Sequence, residues 1–215
     1  QAIDTAGFDN LSLGLTAYPA GEVPGPPCVA GFPVSCGVSA LPQVPLGDTG
    51  KAKSNAPGVR QSIYNWLAGT QPNGSATPGY DALKAAIAGL GSFSLPTGAL
   101  RVVVLITDGG FTCTSLASPP RPAYKDSIGC EDWENPDNVV SMLDAAYKDA
   151  SKPTRTIVIG VPGSDTKPGD AEAPPYYMRR ALSAFAKAGA PDLVPAGCDG
   201  TYQQSQGDPA LPCHY

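Results

Sequence analysis

RVVVLITDGG, residues 101–110, is the stretch whose reading decides the fold. Val102 to Ile106 run without polar alternation, which predicts a strand of a parallel sheet covered on both faces. The run then stops on a threonine, a carboxylate and two glycines. In an open α/β sheet, ligands bind beyond the carboxyl ends of the strands, near the switch in strand order. Asp108 sits at such an end. Gly109 and Gly110 can take positive φ and let another group approach the backbone closely. From the residues alone Asp108 has two readings. It either caps the following turn, a common role of Asp, or it holds a hard cation that wants oxygen ligands. Thr77, in the glycine-rich turn GSATPG, is a plausible second oxygen donor in the latter case.

Outward from this strand, helical and strand patterns alternate. Residues 11–18, LSLGLTAY, read as a strand with one greasier face, and 37–46 as a short edge strand, because prolines forbid a central position. Val59, Ile63, Trp66 and Leu67 recur at helical spacing, as do Leu83, Ala86, Ile87 and Leu90. Asn135-Pro136 is a helix start, an N-cap followed by Pro at the first helical position. Behind it Val139, Met142, Leu143, Ala146 and Tyr147 share one face. TRTIVIGV, residues 154–161, predicts a second buried strand. A last helix buries Met178, Ala181, Leu182, Phe185 and Ala186, and residues 192–195 predict a final short strand. Strands alternating with amphipathic helices predict an α/β fold, a mostly parallel sheet flanked by helices. No internal repeat or composition break divides residues 1–215, so one domain is expected, large enough to bury about 70% of its unfolded surface.

Composition narrows the function. Apolar residues make up 42% of the 215 and charged residues 15%, with 25 glycines and 24 prolines. That is a core carrying long loops. A net charge of −5 with no basic cluster argues against a nucleic-acid surface. No apolar stretch approaches the length of a membrane span. Six cysteines, at 28, 36, 113, 130, 198 and 213, contain no C-x-x-C and fall as three local pairs in Pro/Gly-rich stretches. The pairings expected are Cys28–Cys36, Cys113–Cys130 and Cys198–Cys213, each closing a short loop worth about 2–3 kcal/mol. The last would pin residues 196–215 as an extension. An oxidising compartment follows: extracellular, cell-surface or periplasmic.

Catalytic motifs are absent. There is no G-x-S-x-G, and GDTGKAKS at 47–54 departs from a phosphate loop at its first glycine and after its lysine. His214, the only histidine, reads as a surface or packed side chain. No enzyme is expected. The acidic run EDWE, residues 131–134, lacks calcium-loop spacing and reads as a solvated loop. Two Asn-x-Ser triplets stand at Asn10 and Asn73.

Taken together, TPGYDAL (77–83) upstream of RVVVLITDGG resembles two of the three signature segments of the von Willebrand factor A domain, of the bacterial cysteine-rich extracellular kind. The resemblance covers most of residues 8–195. It implies a doubly wound sheet of order 3-2-1-4-5-6 and a metal-ion-dependent adhesion site, with Thr77 and Asp108 on Mg²⁺ (or Ca²⁺ or Mn²⁺). A partner protein's Glu or Asp would complete the coordination. The third segment, D-x-S-x-S after the first strand, has no counterpart. Residues 11–18 match the family's second strand, so the first strand is expected to come from outside this numbering. A direct ladder between 11–18 and 101–106 would contradict that. The function expected is therefore an extracellular adhesion or protein-binding module. The alternative is a structural subunit of a surface appendage or layer, completed by neighbouring subunits and free of metal.

Overall fold

The computed structural model describes residues 7, 9, 11–20, 36–50, 58–71, 76–114, 121–125, 132–171 and 173–215. Among them the chain is mixed α/β, with four helices and three two-stranded sheets. The order is β1 (Ser12–Leu15), β2 (Val44–Asp48), α1 (Val59–Gly69), α2 (Gly79–Ser92), β3 (Arg101–Thr107), β4 (Ala123–Tyr124), β5 (Trp133–Glu134), α3 (Pro136–Lys148), β6 (Thr154–Gly160) and α4 (Met178–Gly189).

The helices stand where the apolar periodicity puts them. At α3 the Asn135 side chain accepts from the Asp137 amide at 3.0 Å, and Pro136 occupies the first turn. Asp137 in the first turn and Lys148 in the last both complement the helix dipole. Val139 and Leu143 then fall on the buried face.

β3 and β6 pair in parallel, in register from Arg101 opposite Thr154 to Thr107 opposite Gly160. One face of this pair carries Val103, Leu105, Thr156 and Val158, all buried, with α3 and α4 packed against β6. The approach of α4 is close at Gly189, where an added Cβ would lie 2.7 Å from the Thr156 Cβ.

The other face corrects the expectation of a strand covered on both sides. Val102, Val104 and Ile106 are 37%, 51% and 58% exposed. The apolar run signals a strand, but it cannot report whether a second layer is there to cover it. Of the mostly parallel sheet expected, the described residues show one parallel pair, beside two antiparallel pairs. Residues 11–18 contribute β1, which pairs antiparallel with β2. Neither a direct β1–β3 ladder nor a strand between them is present among the described residues. Residues 192–195 form a turn, not a strand; Pro191 precedes this four-residue stretch and Pro195 ends it, which leaves little room for a ladder.

The cysteine pairing is also corrected. Cys36 is bonded to Cys113, with Cα atoms 5.8 Å apart and a sequence separation of 77, so neither Cys28–Cys36 nor Cys113–Cys130 forms. Cys28 and Cys130 lie outside the described residues. Cys36, Ala76 and Cys113 make a small buried cluster, and Cys113 holds a positive φ of 69° that turns the chain toward it. Proximity in space prevails over proximity in sequence here. The longer loop raises the chain-entropy stabilisation to about 4.5 kcal/mol. Cys198–Cys213 forms as expected.

That bond closes the extension of residues 196–215 on itself, and hydrogen bonds fasten it onto α4. Arg180 donates to the Asp199 carboxylate and to the carbonyls of Gly207 and Thr201. The Ser183 hydroxyl donates to the Asp199 carbonyl and accepts from the Cys213 amide. This cover explains why α4 is buried on nearly every side, including Arg180 and Ser183. Tyr215 then lies along β6, its amide donating to Val158 O and its carbonyl accepting from the Gly160 amide.

Candidate functional site

The structure brings the two segments that carry Thr77 and Asp108 to the carboxyl end of β3. The Thr77 carbonyl accepts from the Gly79 amide at 2.7 Å and from the Thr112 amide at 2.8 Å. The Thr77 amide donates to the Thr112 hydroxyl at 2.8 Å. Two bonds therefore tie the turn before α2 to the segment leaving β3. Gly79 is required by this contact, since a Cβ there would come within 2.2 Å of the Phe111 ring. Phe111 in turn stacks on Phe185 of α4 at 5.7 Å.

Asp108 is exposed, and no hydrogen bond or ion pair involves its carboxylate among the described residues. Its backbone is held from both sides. The Val161 amide donates to the Thr107 carbonyl at 3.0 Å. Gly163, at φ 107°, lies so close that a Cβ would stand 3.1 Å from the Asp108 carbonyl oxygen. The Thr107 hydroxyl bonds with Gly109, donating to its carbonyl at 3.2 Å. Asp108 therefore does not cap this turn; Thr107 does. Gly109 and Gly110 take no positive φ, and the close approach at Gly110 is made by the Trp133 ring, 2.9 Å from where its Cβ would be.

A third residue stands at this end that periodicity does not reveal. Tyr18 follows β1 and packs edge-on against Phe111, with ring centroids 6.5 Å apart. Its hydroxyl is buried without a hydrogen-bond partner of good geometry. Burial pushes the phenol up to about 12; the Asp108 carboxylate adds to the rise and the Thr107 hydroxyl opposes it. Tyr18 is therefore a phenol that burial holds protonated. The only sequence signal for it is an aromatic at the exit of a strand.

The donor set does not make a hard-cation site by itself. One carboxylate, the Thr77 hydroxyl and a protonated phenol fall short of the oxygen ligands such an ion needs. No group of three or more His, Cys, Asp or Glu side chains gathers among the described residues.

The acidic run 131–134 has a different fate. Glu134 is buried, and its Oε2 accepts from Arg121 Nη2 at 2.9 Å, Arg121 Nε at 3.1 Å and Thr114 at 3.3 Å. Its Oε1 accepts from Asn138. Arg121 also reaches the Asp81 carboxylate at 3.1 Å and lies 3.9 Å above the Tyr80 ring. Asp132 pairs with Lys125. The run is a tether between the loop and the starts of α2 and α3, where a solvated loop was expected.

His214 is half-buried, and burial lowers its pKa, with Arg179 adding to the fall. No helix among the described residues is long and apolar enough to cross a membrane. No family model, curated protein or solved structure matches the chain.

Proposed function

We propose that this chain is an extracellular protein-binding module with a von Willebrand factor A-like, doubly wound architecture, and that it docks its partner at the carboxyl end of β3. The observation that carries this reading is an exposed Asp108 carboxylate with no hydrogen-bond or ion-pair partner among the described residues. It stands on a backbone held by the Thr107–Gly109 bond and the close approach of Gly163. Supporting the extracellular placement are the two disulfides. Binding is favoured over catalysis because no second acid gathers with Asp108 among the described residues. A partner's own carboxylate together with Mg²⁺ is the metal-assisted form of the same docking.

The test is solid-phase binding of the chain to a panel of extracellular proteins and whole cells, with and without chelator. Wild type is compared with Asp108→Ala, Tyr18→Phe and, as a control away from this end, Arg155→Ala. Binding that Asp108→Ala abolishes and Arg155→Ala retains supports the reading. Equal binding by all four proteins, or by none, defeats it. Titration calorimetry with Mg²⁺ and Mn²⁺ decides the metal-assisted form.

A further inference from the structure

Two Asp-Gly steps occur in the chain, Asp108-Gly109 and Asp199-Gly200. Such a step is the least hindered setting for ring closure between a carboxyl and the next amide nitrogen, because glycine has no Cβ to crowd that nitrogen. Exposure does not separate the two. The Asp199 side chain is 42% exposed, and Asp108 is exposed as well. What separates them is how each half is held. The Asp199 carboxylate accepts from Arg180, from the Thr201 amide at 3.0 Å and from the Thr201 hydroxyl at 2.7 Å. Gly200 is packed on α4, where an added Cβ would lie 2.2 Å from the Lys187 Cβ. At the other step, no hydrogen bond or ion pair involves the Asp108 carboxylate among the described residues. Apart from its chain neighbours, no atom lies within 4 Å of where a Gly109 Cβ would be. The Gly109 amide reaches only the Thr107 hydroxyl, at 3.4 Å, and the step lies past the last ladder pair, Thr107 opposite Gly160.

We infer that Asp108-Gly109 is a site of covalent self-modification, where the chain converts aspartate to isoaspartate through a cyclic imide. The Gly109 nitrogen attacks Cγ of the neutral Asp108 carboxyl. A C–N bond forms, and the carboxyl hydroxyl leaves with the amide proton as water. Water then opens the ring. Attack at the main-chain carbonyl of residue 108 leaves isoaspartate, and attack at Cγ restores aspartate. No oxidant, cofactor or second protein is consumed, and the mass is unchanged. Isoaspartate routes the main chain through Cβ and Cγ, so the backbone at the exit of β3 gains a methylene and the free carboxylate moves onto Cα. The Gly109 carbonyl that Thr107 holds, and Gly110 against the Trp133 ring, are displaced by that insertion. The chemical step stands on its own; its consequence, loss of docking at this end, rests on Asp108 being the docking carboxylate. The same step is closed at Asp199. Arg180 holds the pKa of that carboxyl down at about 2, which leaves at least about tenfold less of the reactive neutral acid than an ordinary Asp has.

The test is to age the full chain, folded and in urea, and to map it by proteolysis with electron-transfer fragmentation, which tells isoaspartate from aspartate at a named residue. In urea both Asp-Gly steps isomerise, which fixes the rate set by sequence alone. In the folded chain Asp108 stays within about tenfold of that rate, while Asp199 falls at least about tenfold below Asp108. The Asp108 step runs faster at about pH 5 than at neutrality, as a neutral carboxyl requires. Gly109→Ala slows it about tenfold or more. Asp108→Glu abolishes it while keeping the charge, because the larger ring it needs closes far more slowly. Asn73-Gly74 is read apart, since its deamidation changes the mass. Isomerised chain, isolated by hydrophobic-interaction chromatography, then goes on the same panel of extracellular proteins and whole cells, where its binding falls as far as that of Asp108→Ala. Two outcomes overturn the inference: suppression of the Asp108 step by folding to more than about tenfold below its rate in urea, or equal rates at 108 and 199 in the folded chain. Isoaspartate at 108 with binding unchanged overturns the docking at Asp108 and leaves the modification standing. Loss of binding in Asp108→Ala without isoaspartate in the aged wild type does the reverse.

Discussion

Asp108 and Glu134 are both acidic residues in loop-rich stretches, and the structure uses them in opposite ways. Glu134 is 1% exposed and receives hydrogen bonds from Arg121, Thr114 and Asn138. Asp108 is exposed and receives none among the described residues. The difference lies in what the surrounding chain supplies. Arg121 is 13 residues before Glu134 and folds back onto it, with Asp81 and the Tyr80 ring holding its far side. Around Asp108 only backbone contacts close in. A saturated carboxylate is a structural part, and an unsatisfied one on a rigid backbone is free to meet a ligand.

The largest effect that sharpens this contrast is expected at Glu134. Glu134→Ala leaves Arg121 without its buried partner and lowers stability by about 3–5 kcal/mol in urea unfolding. Replacing the pair with apolar residues, Arg121→Met with Glu134→Leu, recovers most of that loss. A loss below about 1 kcal/mol in the single variant would show that the network is not a tether. Next in size is the Cys36–Cys113 bond. Cys36→Ala with Cys113→Ala lowers stability by about 2–5 kcal/mol, measured under oxidising conditions, and frees the β1–β2 segment from the exit of β3.

A smaller and pH-dependent effect belongs to Asp199. Its hydrogen bond to Arg180, helped by Thr201, holds its pKa down at about 2. A depressed carboxylate contributes stability above its unfolded pKa of about 3.9 and loses it as the pH falls through the folded value. Wild type therefore loses melting temperature more steeply than Asp199→Asn between about pH 5 and pH 2, and the two curves converge at the acid end. Parallel curves would remove Asp199 from the account of how residues 196–215 are held. The smallest effect is at Asp108, where Ala changes stability by no more than about 0.5 kcal/mol, while partner binding is lost.

The sequence was legible wherever local pattern controls structure. Asn135-Pro136 marks a helix start because the cap and the proline act within one turn, and Met178, Ala181, Leu182, Phe185 and Ala186 share the core because a helix repeats every 3.6 residues. Periodicity likewise places β3 and β6. It cannot tell that Val104 is exposed, because that depends on a layer that is not next to it in sequence. Local cysteine spacing fails for the same reason, since Cys36 and Cys113 are neighbours in space with α1, α2 and β3 between them in sequence. Of the candidate site, the meeting of the turn at Thr77 with the exit of β3 was legible from turn chemistry. Tyr18 was not, since an aromatic after a strand is ordinarily core, and its orphan hydroxyl exists only once Phe111 covers the ring.

The Cys36–Cys113 bond also governs what a protease can do. Residues 37–112, with α1, α2 and β3 among them, lie inside a covalent ring. One cut anywhere in that interval yields two fragments that remain a single molecule until a reductant is added. A nicked chain therefore runs as one species on a non-reducing gel and as two on a reducing gel, and its helices and strands stay tethered to one another after the backbone is broken.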